Sequence, residues 1–579
     1  TKFDLSHESM NAIFKSYRKP LIWGAASLVI LSGCAGLGSM EKEIEALGLE
    51  ASPEPLILRG DVVELTVTGK FPPKYFAKKV KMEATPVLTW DGGSASFEPQ
   101  GFQGEDAAGN FTVVPFENGK SFTYTAEIPY EEAMEDAGTL SVSITGSKGS
   151  KEVTFDPYVI GSGVITTPRW VQPEDRFILV PDAFERVLSY EQEAVINYTV
   201  NRSNVRSSEL RDEDWKSLLE LLELSLAADS VTLTGCRIEA YASPEGEISL
   251  NENLAAERAE SASEAFSREV SRRKTELVEG FFQLVPKGED WDGFKSLVSA
   301  SSIADKDLIL RVLSMYTDKN KREEEIRNIA KTYKEIEDTI LPELRRSRLV
   351  VSYDVEGYTD EELMDLSKSN PDILTIEELL FAATLFEDLN DKLVVYQNAS
   401  RVHSDDFRGF NNAGWCLMEM GRMNQAKEQF NAALSVERNK AVLNNLGAIK
   451  RLEGDIDGAM ALLNEAAGAG AEVNFNKGII LIQKGDYGSA LSNMGRENTV
   501  NVALAKLLNG DAAGAKTVLE NAEDDSAVAS YVMAIACARL NDGAGVKTHL
   551  TAALSKDGSL RAKAEKDLEF RDFREQLGF

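Results

Sequence analysis

The sequence predicts a multidomain chain: an N-terminal β-sandwich, a central α/β domain with a helical insertion, and a C-terminal all-α solenoid. Three observations lead there. Between about residues 56 and 170, short runs alternate apolar and polar residues at period two. From about residue 191 the patterning reads strand, helix, strand, helix. Beyond residue 410, small residues recur 33 positions apart. The length of 579 residues fits three or four domains at roughly 150 residues each. An apolar content of 43% suffices for a core in each.

Charge and composition narrow the function classes. Lys plus Arg total 63 against 94 Asp plus Glu, a formal net charge of −31. Nucleic-acid binding is not expected of such a chain, because phosphate contacts need clustered basic residues. There are three His (7, 403, 549) and four Cys (34, 236, 416, 537), with no Cys-x-x-Cys pair and no two His at metal-ligand spacing. The expectation is a non-enzymatic protein without metal or cofactor. Cys416 and Cys537 fall inside repeat helices, where they read as small core residues.

The first segment reads as a targeting sequence. Met10 is a plausible start. Lys15, Arg18 and Lys19 precede a short apolar run, Leu21 to Ile30, which ends in Leu31-Ser32-Gly33-Cys34. This resembles the bacterial lipobox, with small residues before a thiol that would be acylated. The resemblance implies a signal peptide over 1–33, a lipidated Cys34 and a mature chain of charge −33, since residues 1–33 carry four basic and two acidic residues. Residues 35–40 lack the acidic cluster that resembles a surface-export signal in Bacteroidota lipoproteins. The expected location is therefore the outer membrane, lipid-anchored, with the body in the periplasm. Residues 34–55 read as the acylated Cys and a linker, with Ser52-Pro53-Glu54-Pro55 as punctuation.

In the β-sandwich region, 56–170, Val63, Leu65 and Val67 alternate with Glu64, Thr66 and Thr68. Leu140, Val142 and Ile144 do the same with Ser141, Ser143 and Thr145. Gly146 to Gly149 reads as a hairpin turn into Val153-Thr154-Phe155. Gly119-Lys120-Ser121 looks like the end of a phosphate loop, but position 114 is Val, so it reads as a hairpin.

In the central region, residues 191–201 read as a strand, 209–226 as a helix and 230–241 as a buried strand. Ala242 to Gly246 is a turn, and Asn251 to Ala259 opens a second helix. Gly246, Asn251, Leu254, Arg258 and Ala259 resemble, in type and spacing, the motif of the OmpA-like peptidoglycan-associating domain family. Leu344 to Leu349 resembles the stretch before that family's last strand. The resemblance covers about 175–357, with a long helical insertion at about 275–345 that looks like the Bacteroidota branch. In the family an Asp binds the ammonium of the peptide-stem diamino acid and the Arg its carboxylate; here Ser243 stands at the Asp position. Ser243, Glu245, Asn251 and Arg258 are the candidate ligand residues. Glu245 is the substitute for the missing acid. Arg258 is either a carboxylate clamp or a structural arginine bonding turn carbonyls near 243–246.

The last third, 370–579, repeats. Gly414 to Gly447 and Ala426 to Ala459 are each 33 residues apart. The set Ala413, Gly414, Ala426, Phe430 and Ala433, with Gly447 and Ala459, resembles the tetratricopeptide repeat, in which small residues sit where paired helices touch. Residues 374–400 read as a degenerate first unit and 559–579 as a capping helix. The resemblance implies a solenoid whose groove holds a protein partner.

These readings combine into a scaffold or accessory subunit of an envelope complex for outer-membrane protein assembly or secretion. It would be held to the membrane by Cys34, with a membrane barrel or secretion complex as candidate partner. The alternative is a cell-wall tether that grips peptidoglycan through the OmpA-like domain.

Overall fold

The computed structural model describes residues 36–245, 247–328 and 330–579. Leu31, Ser32, Gly33 and Cys34 lie outside the described residues, as does Gly246. The chain forms two compact units. One joins the residues up to Val180 with Asp388–Phe579; the other is Pro181–Glu387. The second unit is thus an insertion into the first.

The first unit begins with a short helix, α1 (Leu37–Lys42), and a two-sheet β module. Strand β3 (Val62–Phe71) pairs along one edge with β8 (Lys120–Pro129). Its other edge takes β1 (Glu50–Ser52) and β2 (Leu56–Arg59), and β2 pairs in parallel with β12 (Val164–Ile165). The other sheet centres on β4 (Lys81–Trp90) and β9 (Ala137–Lys148), which run antiparallel. Around them lie β5 (Gly93–Ser96), β6 (Gln100–Gly104), β7 (Thr112–Val114), β10 (Lys151–Thr154) and β11 (Tyr158–Gly161). The period-two residues face inward. Val63, Leu65, Val67, Leu140, Val142 and Ile144 are all buried, because each sheet can hide only one face. Two sequence expectations shift here. The turn of the β9–β10 hairpin sits at 149–150 rather than 146–149. Gly119 is not in a hairpin: β7 pairs with β6 and β8 with β3, so residues 115–119 carry the chain between sheets. Gly119 has φ +64 there, and a Cβ on it would meet the Phe71 carbonyl oxygen at 2.0 Å.

The second unit holds an antiparallel–parallel sheet in the order β13-β16-β14-β15. Its strands are β13 (Val187–Asn197), β14 (Val231–Ala242), β15 (Phe282–Glu289) and β16 (Arg346–Glu356). Helices α2 (Glu213–Ala227) and α3 (Ile248–Arg273) cover it, with Trp215, Leu218, Leu222, Ile238, Phe266, Leu349 and Val351 in one core. Three expectations are corrected. The unit starts at 181 rather than 175, because the residues before it belong to the first unit. The first strand ends at Asn197, since Tyr198 turns inward and donates its hydroxyl to Ser347 at 3.1 Å. The insertion at 275–345 opens with a strand, β15, which pairs in parallel with β14. Only beyond it do helices follow: α4 (Trp291–Ala300), α5 (Lys306–Met315), α6 (Lys319–Arg327), α7 (Ala330–Thr339) and α8 (Leu341–Leu344). These enclose a small core of their own, including Phe294, Val298, Ile309 and Leu344. The unit ends with α9 (Asp360–Ser369) and α10 (Ile376–Thr384).

Back in the first unit, paired helices stack in series. After α11 (Leu389–Val402) come α12 (Phe407–Glu419) and α13 (Met423–Val436), then α14 (Lys440–Leu452) and α15 (Ile456–Glu465). They continue as α16 (Ala471–Gln483) and α17 (Tyr487–Met494), α18 (Val500–Leu508) and α19 (Ala512–Asn521), then α20 (Ala527–Arg539) and α21 (Gly543–Lys556). The small residues make the stacking possible. Ala413, Ala426, Phe430, Ala433 and Ala459 are fully buried. A Cβ on Gly414 would lie 2.6 Å from the Phe430 ring, and one on Gly447 would lie 3.0 Å from Leu463. The degenerate first unit expected at 374–400 does not form: α10 belongs to the inserted unit. There Phe184 stacks on Phe381 at 4.4 Å between ring centroids, and Glu377 accepts the Ala183 N–H at 2.6 Å. The capping segment is broken as well, into α22 (Leu560–Lys566), a 3-10 turn at Leu568–Phe573 and α23 (Arg574–Leu577).

This last turn bolts the solenoid to the β module. Glu569 is buried; it accepts from Thr167 Oγ1 at 2.5 Å and from both Nε and a terminal nitrogen of Arg539. Arg571 pairs with Glu54 at 3.2 Å, Lys563 with Glu135 at 3.2 Å and Lys566 with Asp136 at 2.6 Å. Asp567 accepts the Tyr531 hydroxyl at 2.8 Å and caps the turn through the Glu569 N–H. Burial, reinforced by the Glu569 charge, pushes its carboxyl up to about 6. The folded chain therefore holds a proton that the unfolded chain releases near the ordinary value of 3.8. That increment of stability is present at low pH and is lost as pH rises through about 6. Comparing urea unfolding of the wild type with Asp567→Asn at pH 5 and pH 7 should show it. The wild type should lose about 1 kcal/mol more between the two pH values than the variant does.

Candidate functional site

Asparagine is a poor residue for the middle of a helix, because its side chain competes for backbone partners. Yet the first helices of four successive repeats carry one or two: Asn411 and Asn412 in α12, Asn444 and Asn445 in α14 and Asn476 in α16 lie inside the helix, and Asn501 lies in the first turn of α18. All six are at most 1% exposed. A buried amide without partners costs about 1–3 kcal/mol, so each must be satisfied from within the protein.

The partner is the chain's own residues 172–180, which run along this face as an extended strap. No backbone–backbone hydrogen bond holds the strap among the described residues; side chains do. Asn412 accepts the Val180 N–H at 3.0 Å and donates to the Val180 carbonyl at 2.8 Å. Asn445 does the same to Ile178 at 2.7 and 2.9 Å. Asn476 does so to Arg176 at 2.8 Å each, and Asn501 to Gln172 at 2.8 and 2.9 Å. Alternate residues of an extended chain present N–H and C=O to the same side, which is why the clamped positions are even-numbered. The second amides add bonds: Asn411 donates to the Ile178 carbonyl and Asn444 to that of Arg176, both at 3.0 Å.

The amides also join one another. Asn476 donates to Asn444, Asn444 to Asn445, Asn445 to Asn411 and Asn411 to Asn412, at 3.0–3.1 Å. Such a chain polarises each member and strengthens the next.

Side-chain pockets supplement the backbone clamps. Asp175 forms a two-point ion pair with Arg451, both side chains almost wholly buried. Arg176 pairs with Glu497, and its guanidinium lies 3.7 Å from the Phe475 ring centroid. Phe177 stacks parallel to Phe430 at 6.2 Å. Glu174 accepts the Val500 N–H at 2.9 Å at the start of α18, and burial pushes its carboxyl above the ordinary range. The groove expected to hold a protein partner thus holds a segment of its own chain. The asparagines went unnoticed as a clamp in the sequence, although 412 and 445 recur at the 33-residue period.

Comparison with known proteins bears on this face. Residues 407–440 match the tetratricopeptide repeat family. This segment is a tetratricopeptide repeat. A stretch of 72 residues is 35% identical to the BBSome complex member BBS4 of Xenopus tropicalis; it covers 12% of this chain and only 14% of that protein. Among solved structures, a tetratricopeptide repeat protein from Parabacteroides merdae aligns at 16% identity and TM-score 0.27, over 36% of this chain and 90% of that one. The Cut9–Hcn1 hetero-tetramer of the APC/C aligns at 12% identity and TM-score 0.31, over 61% and 81%. Both scores are low, so the repeat assignment stands on the matched segment and on the stacked hairpins. The asparagine face is the one formed by the first helix of each stacked pair.

Of the four candidate residues of the inserted unit, Ser243, Glu245 and Asn251 bond one another, while Arg258 bonds backbone carbonyls outside that set. Arg258 is 1% exposed. Its Nε donates to the Arg202 carbonyl at 3.1 Å and its terminal nitrogens to the carbonyls of Tyr241, at 2.8 Å, and Thr199, at 3.5 Å. These carbonyls lie at 199, 202 and 241, not at 243–246 as the sequence suggested. Burial pulls the guanidinium down to about 10, while the Tyr198 ring, 5.1 Å away, packs against it. Ser243 donates to Glu245 at 2.8 Å, and Arg345 bonds both, reaching Glu245 at 2.8 and 3.0 Å. The charge expected to replace the missing acid is therefore already paired with Arg345, at the end of the helical insertion. Asn251 donates to the Glu245 carbonyl and to Glu289. Cys236, Cys416 and Cys537 are buried, and burial pushes each thiol up.

Two outcomes follow. Asn445→Ala should cost about 2 kcal/mol, from lost bonds and a stranded Ile178 amide, and hydrogen exchange at Ile178 should accelerate while α20 and α21 stay protected. Arg258→Ala should unfold the inserted unit at lower denaturant by about 3 kcal/mol, since it empties a buried side-chain position and three carbonyls lose a charged donor; circular dichroism against urea reads this out.

Proposed function

We propose that the protein is a non-enzymatic scaffold of the bacterial envelope, an outer-membrane lipoprotein whose body works in the periplasm as an accessory subunit of a protein-assembly or secretion complex. The observation that carries the scaffold part is the solenoid. Its hairpins include a tetratricopeptide repeat, and its first-helix face binds extended polypeptide, here in cis. Repeats of this kind offer large surfaces for protein partners. The lipobox at Leu31–Cys34 supports the envelope anchor. The order of strands and helices around α3 supports an OmpA-like origin for the inserted unit.

The cell-wall tether draws less support. Ser243 stands where the family has its acid, Glu245 is engaged by Arg345, and Arg258 spends its donors on backbone carbonyls. The inserted unit is then a protein-contact module in this reading.

The test is membrane fractionation and affinity purification of the full chain with mass spectrometry. Wild type should sediment with outer membranes and co-purify with an envelope protein. Cys34→Ser should release the chain to the soluble periplasmic fraction and lower recovery of that partner at least ten-fold. Retention of the variant on membranes would exclude the lipid anchor, and recovery with purified sacculi would favour the tether.

A further inference from the structure

The strap has the character of a ligand. It lacks helix and sheet, and none of its residues from Val171 to Val180 is fully buried. Its backbone is read through side-chain amides, two bonds per clamped residue, which accept any non-proline residue at positions 172, 176, 178 and 180. Specificity comes from elsewhere. Arg451 selects an acid at position 175, while Glu497 and the Phe475 face select an arginine at 176. Phe430, itself a repeat core residue, offers its ring face to an aromatic at 177. The occupied face runs from Asn412 to Tyr531, where the Trp170 ring packs at a tilt with centroids 4.4 Å apart, so no second segment can lie on it while the strap is in place.

We propose that this face is an autoinhibited peptide site: it recognises an extended acid–arginine–aromatic segment of a partner protein, and residues 172–180 are an internal copy of that ligand which the partner must displace. This rests on the scaffold reading above, and it adds the chemistry of the segment bound and the means of its control. Backbone clamps alone would hold any strand. Burying the Asp175–Arg451 pair removes two charges from water, a cost offset only by a counter-charge in the matching geometry. The face therefore rejects segments without the acid–arginine pair, in competition as in cis. A tethered ligand also competes at high effective concentration, on the order of millimolar for a short flexible link. The free segment must accordingly bind tightly, or arrive with additional contacts, to open the site.

The experiment uses the full chain and a fluorescein-labelled synthetic peptide spanning residues 170–181, read by fluorescence anisotropy. Wild type should bind it at least ten-fold more weakly than the double variant Asp175→Arg, Arg176→Glu, whose strap is repelled by Arg451 and Glu497 while the face is intact. Adding Asn445→Ala should remove the gained binding, and a peptide with the Asp and Arg exchanged should not bind. The double variant must keep the wild-type circular dichroism of its solenoid, while its unfolding midpoint falls because the amide row has lost its cis partner. Native-state hydrogen exchange on the wild type serves as a second measurement independent of that variant. The amides of residues 176, 178 and 180 should exchange faster than those of α14 and α16, reporting strap opening without unfolding. No gain of binding by a folded double variant would overturn the proposal. So would strap amides that exchange only with global unfolding, or a wild type that dimerises with concentration by exchanging straps. A failed peptide assay leaves membrane anchoring and partner capture standing. Failed partner capture with peptide binding intact removes only the envelope scaffold.

Discussion

Six amides placed in the interior of a helical stack have to be hydrogen-bonded, and the first unit is organised by that requirement. Without the strap, Asn412, Asn445, Asn476 and Asn501 would each lose the backbone N–H and C=O they now bond, and water would have to take their place. With it, every one pairs with a residue two or four positions from the last. The strap in turn fixes Trp170 against Tyr531 and brings Thr167 to Glu569. The β module and the solenoid are thereby joined at the same place where the strap begins. The ion pairs between Glu54 and Arg571, and between Lys563 and Glu135, are partly exposed and add little on their own; the amide row is what aligns them.

The inserted unit follows the same rule of internal satisfaction. Its polar centre gathers Ser243, Glu245, Asn251, Arg258, Glu289 and Arg345, and each has its partners within the unit. A ligand entering there would have to break the Arg345–Glu245 pair and leave a partly buried charge, which is costly. The departure at Ser243 thus belongs to a rearranged network rather than to a single lost residue. The helical insertion contributes Arg345, so the element that enlarges the domain also closes its turn.

Much of this was legible in the sequence, for physical reasons that can be named. Period-two alternation revealed β3 and β9 because each has one buried face. The 33-residue recurrence of Gly414 and Gly447 revealed the hairpins because only small residues let Phe430 and Leu463 come so close. What escaped has an equally definite cause. The strap carries no period, being bound by side chains 232 to 329 positions away, and so it read as part of the next domain. β15 escaped because a strand paired in parallel needs neither a hairpin turn nor strict alternation. Helix α10 matched the repeat in pattern, but Phe381 and Glu377 serve residues 183 and 184 instead. The asparagines were visible and periodic. Their meaning depended on a partner that local patterning cannot supply.

The discontinuity of the first unit bears on how the chain is made. Gln172 and Asn501 are separated by 329 positions, and the whole inserted unit is synthesised between them. As the polypeptide emerges, the strap precedes its binding face by that length. At about 5–20 residues per second the interval is tens of seconds. During it the inserted unit has all of its sequence and can complete its sheet, while residues 172–180 stay unpaired. The solenoid's amide row is then satisfied last, by a segment that has waited longest. Assembly of the first unit is in effect a binding reaction within one molecule, and its rate is set by loop closure around a domain already folded.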